Sequence, residues 1–294
     1  MSTKERLLHS DAANWAAKFV TVRNVGRYFG RPAMAAATEL LWRRRRPHDL
    51  ALAVADHFTT DGATVVDVGA SWGLFTYHLA HRVGKAGRVY SFEPHPDNAP
   101  MLRRLAASRA GVHFRQVAVS DTAGSAELIV PQHHNRQVTA QSSLAHGFDG
   151  QGVGVRRLHV PTVRLDDEIG ADTDVDFVKI DVEGHELSVL RGGSSLLRRC
   201  RPTILIEIEQ RHLEVPIHDV FDAIQDLGYH LFSITGSALR PIAQFDVERD
   251  QMSMVTSGQF HPFAMPPDYV HDFCAVRTPD LVRGLGAAPP PESA

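Results

Sequence analysis

Residues Thr64–Val68 form a β-branched run closed by Gly69, the pattern of a parallel strand buried on both faces. Helical spacing follows over 74–83. A second strand is predicted for Arg88–Phe92, then a helix over 96–108 with proline near its first turn, then a strand over 112–117. This β-α-β-α-β order predicts a parallel sheet with helices on both faces.

The middle of the chain is less regular. Residues 125–130 and 157–163 read as strands. The stretch between them, 131–154, is rich in Gln, His, Ser and Gly and reads as a long loop, the usual form of a functional lid. Asp166-Asp167-Glu168 opens a short helix, where acids suit the N-terminal dipole. Residues 177–182 and 203–209 predict two more buried strands. A helix over 186–191 is interrupted by Gly192-Gly193 and resumes over 194–199. Residues 217–227 predict an amphipathic helix ending at Gly228, a suitable residue just past a helix end. The last two strands are predicted at 229–234 and 273–277. Residues 1–60 read as helical, with a break at Gly30-Arg31-Pro32, and 284–294, with three consecutive prolines, as disordered. The predicted organisation is a helical extension (1–60), an α/β domain (61–280) and a tail (281–294).

Composition narrows the class. Of 294 residues, 43% are apolar, enough for a sizeable core. The net charge is −3 with 17 histidines counted neutral, which calls for neither nucleic acid nor an acidic membrane surface. The Arg43-Arg44-Arg45-Arg46 run reads as a solvated helix end rather than a phosphate patch. Cys200 and Cys274 form neither a close pair nor a metal-type cluster, which fits a reducing cytoplasm. No signal-peptide run follows Met1, and no stretch of 18 apolar residues occurs. A cytoplasmic protein without nucleic-acid or membrane partners is expected.

Five segments can carry chemistry. In Asp67-Val68-Gly69-Ala70-Ser71-Trp72-Gly73, between the first strand and helix, the glycines let backbone approach a ligand closely. Ser71 stands where a dinucleotide fingerprint needs its second glycine, and Gly84-Lys85-Ala86 fails as a phosphate loop. A cofactor with an amino-acid moiety remains. Glu93 ends the second strand, 20 residues beyond Gly73, where an acid can accept hydrogen bonds from both ribose hydroxyls. Ser120 lies in Val117-Ala118-Val119-Ser120-Asp121, a loop able to flank a base. In the 176–186 segment, strand alternation gives Lys179, Asp181 and Glu183 one direction, and charge at the mouth of a hydrophobic sheet is costly unless paired or used. Asp181 or His185 can take a proton from a substrate hydroxyl, and Lys179 can fix a carboxylate. Glu207 and Glu209 share one side of the next strand. Glu207 can bind substrate, position a base or join a hydrated metal site; no tight ligand spacing supports the last, and no metal is expected. His78, His81, His133, His134 and both cysteines read as structural.

Val66-Asp67-Val68-Gly69-Ala70, Ser91-Phe92-Glu93-Pro94, and above all residues 177–186 with Leu190-Arg191-Gly192-Gly193, resemble the FkbM-type methyltransferases over roughly 60–235. The resemblance implies a class I methyltransferase fold, seven strands with the last antiparallel. The cofactor it implies is S-adenosylmethionine, and the reaction is O-methylation of a hydroxyl on a sugar or secondary metabolite. Carried across, Asp67, Gly69, Ala70 and Gly73, with Ser71 between them, border the methionine portion, Glu93 the ribose and Ser120 the adenine side, while Asp181 and Glu183 face the reacting methyl. The acceptor expected is a small molecule bearing a hydroxyl; the oligomeric state, a homodimer included, is left open.

Methyl transfer is an in-line displacement, so alignment and exclusion of water supply much of the rate. The hydroxyl proton must also leave, to Asp181 or His185, with Glu207 orienting the acceptor. Other readings are an N-methyltransferase, a SAM-binding protein without catalysis, and a nicotinamide dehydrogenase, which the missing second glycine disfavours.

Overall fold

The computed structural model describes residues 50–133, 136–137, 142–144, 154–236, 238–257, 265–266, 268–283 and 285. The Arg43–Arg46 run, most of the helical extension, His134, most of the 131–154 loop and most of the tail lie outside the described residues.

Alternation along five parallel strands builds the centre: β1 (Thr64–Val68), β2 (Arg88–Phe92), β3 (Val112–Arg115), β8 (Phe177–Ile180) and β9 (Thr203–Glu207). Three further strands, β10 (His230–Thr235), β11 (Ala238–Pro241) and β12 (Asp272–Val276), complete the order β11-β10-β12-β9-β8-β1-β2-β3. β12 runs antiparallel to both β9 and β10. The expected seven strands with an antiparallel last member are therefore present, and β11 adds an eighth at the edge, antiparallel to β10. Helices cover both faces. On one lie α1 (Leu50–Phe58), α2 (Leu74–Arg82) and α3 (Ala99–Ser108), packed on Val65, Val89, Phe177, Leu205 and Cys274. On the other lie α4 (Leu165–Glu168), α5 (Glu186–Gly192), α6 (Ser194–Cys200) and α7 (Ile217–Asp226), packed on Val66, Val68, Val178, Ile180, Ile204 and Ile206.

A second sheet occupies the irregular middle. Its strands β4 (Ala118–Val119), β5 (Gly124–His133), β6 (Arg136–Gln137) and β7 (Gly154–Val163) run in the order β4-β7-β5-β6 around a small core of Leu128, Val130 and Val160. The predicted strand over 112–117 is thus divided: β3 ends at Arg115, and the chain leaves for the second sheet. Part of the 131–154 loop is strand as well, and Ser143 bridges to Ile129. No described helix is long and apolar enough to cross a membrane.

Sequence-adjacent strands β1, β2 and β3 run one way from the centre, and β8 and β9 the other. The switch in strand order, where open α/β sheets bind ligands, falls between β1 and β8. There the Asp181 N–H donates to the Val68 carbonyl at 3.0 Å. The Asp181 carbonyl stands where a Cβ on Gly69 (φ +77°) would have to be, so only glycine lets the two strand ends meet.

Gly192 makes a similar approach at the end of α5, against the Ser120 carbonyl, whereas a Cβ on Gly193 would meet only Leu165 side-chain atoms at 3.1 Å and beyond, plus the Val189 carbonyl at 3.4 Å. Gly192→Ala is expected to destabilise by about 1–3 kcal/mol through overpacking, and Gly193→Ala by less. Urea unfolding at constant m checks the order; equal midpoints for the two variants would contradict it.

Candidate active site

Strand alternation places one set of polar groups on the face covered by α1–α3. In β1, Val66 and Val68 belong to the opposite core and Val65 to this one, so Asp67 points here. The same logic brings Ser91 and Lys179 level with it, since the register pairs Asp67 with both. Two residues further along lie Asp181, Glu207 and Asp272, the last two directly opposite each other on β9 and β12. The result is a row of acids along the carboxyl ends of the parallel strands, above one buried lysine.

Asp67 is wholly buried and accepts from the Thr76 hydroxyl at 2.6 Å; Thr76 also lies 2.9 Å from Ser91 Oγ. Its other oxygen, Oδ1, is buried without a hydrogen-bond partner. Burial raises its pKa, against the pull of Lys179. Asp67 therefore braces the turn onto α2 from beneath rather than lining the crevice. Gly69 and Ala70 donate their N–H groups to the Phe92 carbonyl at 3.0 Å each, and Gly73 (φ +80°) starts α2.

Ser71 (φ +48°) donates its N–H to Glu93 Oε2 at 2.8 Å. Glu93 Oε1 accepts from the His95 N–H at 2.7 Å and from Asn98 Nδ2 at 3.2 Å. The glycine turn and the end of β2 are thus one hydrogen-bonded unit. Burial pushes the Glu93 carboxyl up to about 7 despite these donors.

Lys179 reaches Asp181 Oδ2 at 2.9 Å and stacks over the Phe75 ring at 4.8 Å. Burial alone would lower its pKa, but the Asp181 and Asp67 carboxylates outweigh it and hold the ammonium charged. Glu183 departs from the expected alternation. β8 stops at Ile180, and Glu183 (φ +52°) turns to His212 Nε2 at 2.9 Å, so it does not share the Lys179–Asp181 direction. Gly184 (φ +101°) packs against the His212 backbone. His185 lies 3.0 Å from Ser120 Oγ, and burial lowers its pKa, leaving a neutral imidazole near pH 7. The two proposed bases are consequently apart: Asp181 stands with Lys179 and Glu207, His185 with Ser120.

Arg211, His212, Tyr269, Asn98, His271 and Asp272 escaped the sequence reading. Glu209 is held by Arg211 (2.7 Å from each of two nitrogens), by the Tyr269 hydroxyl at 2.6 Å and by His212 at 3.5 Å. His212 and Arg211 together keep the Glu209 carboxyl far below the usual range despite its burial. A Glu-x-x-His spacing on a tight turn was the available signal for His212, and an Asn just before an Ala-Pro helix start was the signal for Asn98. His271 and Asp272 had none, because their partner Glu207 lies on another strand. Two groups have carboxylate and imidazole atoms within 4.8 Å of one another: Glu183, Glu209 and His212, and Glu207, His271 and Asp272.

Residues 67–231, more than half of the chain, match the family model described as the methyltransferase FkbM domain. Methyltransferase sdnD of Sordaria araneosa is 29% identical over 155 residues, covering 44% of this chain and 59% of that protein. The chain therefore spans about three-fifths of that relative's length. Among solved structures, it is similar to methyltransferase FkbM from Methylobacillus flagellatus KT (17% identity, TM-score 0.45, 74% of this chain and 44% of that one). It is also similar to precorrin-6y C5,15-methyltransferase from Geobacter metallireducens GS-15 (12% identity, TM-score 0.41, 78% and 86%).

His212 generates a pH prediction. Burial alone would lower its pKa, but Glu183 outweighs that and lifts it to about 9, from an ordinary value of 6.5. A raised histidine stabilises the fold fully below about 6.5, and that contribution is lost as pH rises through about 9. Chemical denaturation between pH 6 and 10 should show stability falling across this window, with a smaller fall in His212→Ala. An identical fall in the variant would refute the assignment.

Proposed function

The chain belongs to the FkbM methyltransferase family, and from that premise we propose that it transfers the methyl group of S-adenosylmethionine to a hydroxyl oxygen of a small molecule, a sugar or secondary metabolite. The observation that carries this reading is the charge of the crevice. Glu93 follows β2, Asp181 follows β8, Glu207 closes β9, and the glycine turn carries no lysine or arginine. Such a surface repels a pyrophosphate and attracts a sulfonium cation, while Glu93 offers a carboxylate to a ribose diol.

When bound, the cofactor supplies an electrophilic methyl on a positively charged sulfur. The chain's own residues do the rest. Glu93, gripped by Ser71, His95 and Asn98, is pre-oriented for the ribose. Ser120, with His185 beside it, belongs to the adenine side, which takes His185 away from the acceptor. Gly69, Ala70, Ser71 and Gly73 line the methionine end over the buried Asp67. Asp181, 2.9 Å from Lys179, accepts the acceptor's proton, and Glu207 orients the acceptor oxygen. Glu183 shapes the exit from β8 through His212 rather than through contact with the methyl.

Glu93→Ala is expected to weaken SAM binding by about 10- to 100-fold, the cost of losing hydrogen bonds to a charged group; titration calorimetry reads it, and unchanged affinity would remove Glu93 from the site. Incubation with methyl-labelled SAM and fractionated metabolites, followed by product identification, tests the acceptor; label on nitrogen would favour N-methylation, and SAM binding without any product a non-catalytic role. With the identified acceptor, Asp181→Asn is expected to lower kcat roughly 100-fold or more and His185→Ala to raise the KM for SAM more than it changes kcat. A wild-type kcat in Asp181→Asn would sink the base assignment.

A further inference from the structure

We propose that Glu207, His271 and Asp272 form a binding site for one first-row divalent cation of the Mn²⁺ or Zn²⁺ type. The ligand atoms come from two antiparallel strand ends. Glu207 closes β9, Asp272 opens β12, and the register sets them face to face. His271 is the residue before Asp272, and its carbonyl accepts the Ile208 N–H at 2.8 Å, which ties it to the chain just past Glu207. The three donor atoms lie within 4.8 Å of one another. Ligands on opposite sides of one ion with bonds of about 2.4 Å stand about 4.8 Å apart, and adjacent ligands stand closer. His271 Nε2 stands 3.5 Å from Asp272 Oδ2, the spacing of two adjacent ligands roughly 95–115° apart at such bond lengths. The buried Nδ1 of His271 leaves Nε2 as the nitrogen on the carboxylate side.

Like charges directly opposite each other across strands are destabilising. Among the described residues, the carboxylates around Glu207 are Asp181, Asp272, Glu209 and Glu183, and the cationic groups near it include Lys179, which is bonded to Asp181. The neighbouring group of Glu183, Glu209 and His212 is paired internally. There Arg211, Tyr269 and His212 already occupy the carboxylate oxygens, so that group is a closed ion-pair network. A nitrogen among the donors favours a transition cation over Ca²⁺ or Mg²⁺. Sequence spacing could not reveal this set, since its members lie on distant segments.

Three protein donors leave coordination positions open toward the crevice, beside Asp181. Two neighbouring oxygens of an acceptor, as in a vicinal diol, could fill them, and the ion would lower the pKa of the bound hydroxyl. That use rests on the methyl-transfer reading; the binding of the ion does not.

The test uses the full chain, freed of metal with a chelator and then dialysed, without SAM. MnCl₂ and ZnCl₂ are titrated by calorimetry, with Mn²⁺ also followed by electron paramagnetic resonance. One saturable equivalent is expected, weakened at least tenfold in Glu207→Gln and in Asp272→Asn, with circular dichroism melting to confirm that each variant folds. Should one variant fail to fold, the other and His271→Gln carry the comparison. No saturable binding of either ion, or binding that is unchanged in these variants but lost in Glu183→Gln, would overturn the proposal. Retained SAM binding alongside absent metal binding would overturn this inference alone and leave the methyl-transfer reading standing.

Discussion

Lys179 sits buried in the middle of one sheet face, 2.9 Å from Asp181 and within electrostatic reach of Asp67. An unpaired ammonium there would be prohibitively costly, and so would two unpaired carboxylates. Each makes the others tolerable. Glu207 also lies within electrostatic reach of the lysine, and Asp272 stands opposite it further along the same row. One buried charge on the innermost strand, at the switch in strand order, thus organises the acids at the mouth of the sheet.

A second constraint is steric. The Asp181 carbonyl and the Gly69 Cα approach so closely that the two strand ends can meet only at a glycine. This contact sets Asp181 against the turn that leads to Ser71, and Ser71 in turn grips Glu93. One backbone approach thus couples the residue proposed for proton transfer to the residue proposed for ribose binding. The ion-pair network of Glu183, His212, Glu209 and Arg211 holds the other side of the exit from β8. It keeps Glu183 in a left-handed conformation that a non-glycine residue rarely adopts. These are couplings of position.

Much of the fold was legible in the chain. The apolar runs of β1, β8 and β9 are buried on both faces, and such strands announce themselves without help from their surroundings. The amphipathic α7 and its closing Gly228 were equally plain. The strand over 112–117 is present but ends at Arg115, because alternating apolar and polar residues do not reveal where the chain leaves for another sheet. β11 was missed because its short sequence, Ala238–Pro241, is half exposed and carries a proline, as edge strands do. In the site, Asp67, Gly69, Glu93, Lys179 and Asp181 were visible because each falls at a strand end or in a turn. Glu183 was placed on the wrong side because alternation was carried past the end of its strand.

The sequence by itself determined the order of strands and helices, the glycine turn, the acid at the end of β2 and the charged stretch after β8. It did so because these features depend on neighbours within a few residues, where periodicity and turn chemistry are decisive. Only the tertiary structure decided which charges meet. The sheet register brought Glu207 opposite Asp272, the packing of a turn delivered His212 to Glu183, and the docking of α5 against β4 set His185 beside Ser120 rather than Asp181. Those pairings join segments tens of residues apart, and local pattern carries no information about them.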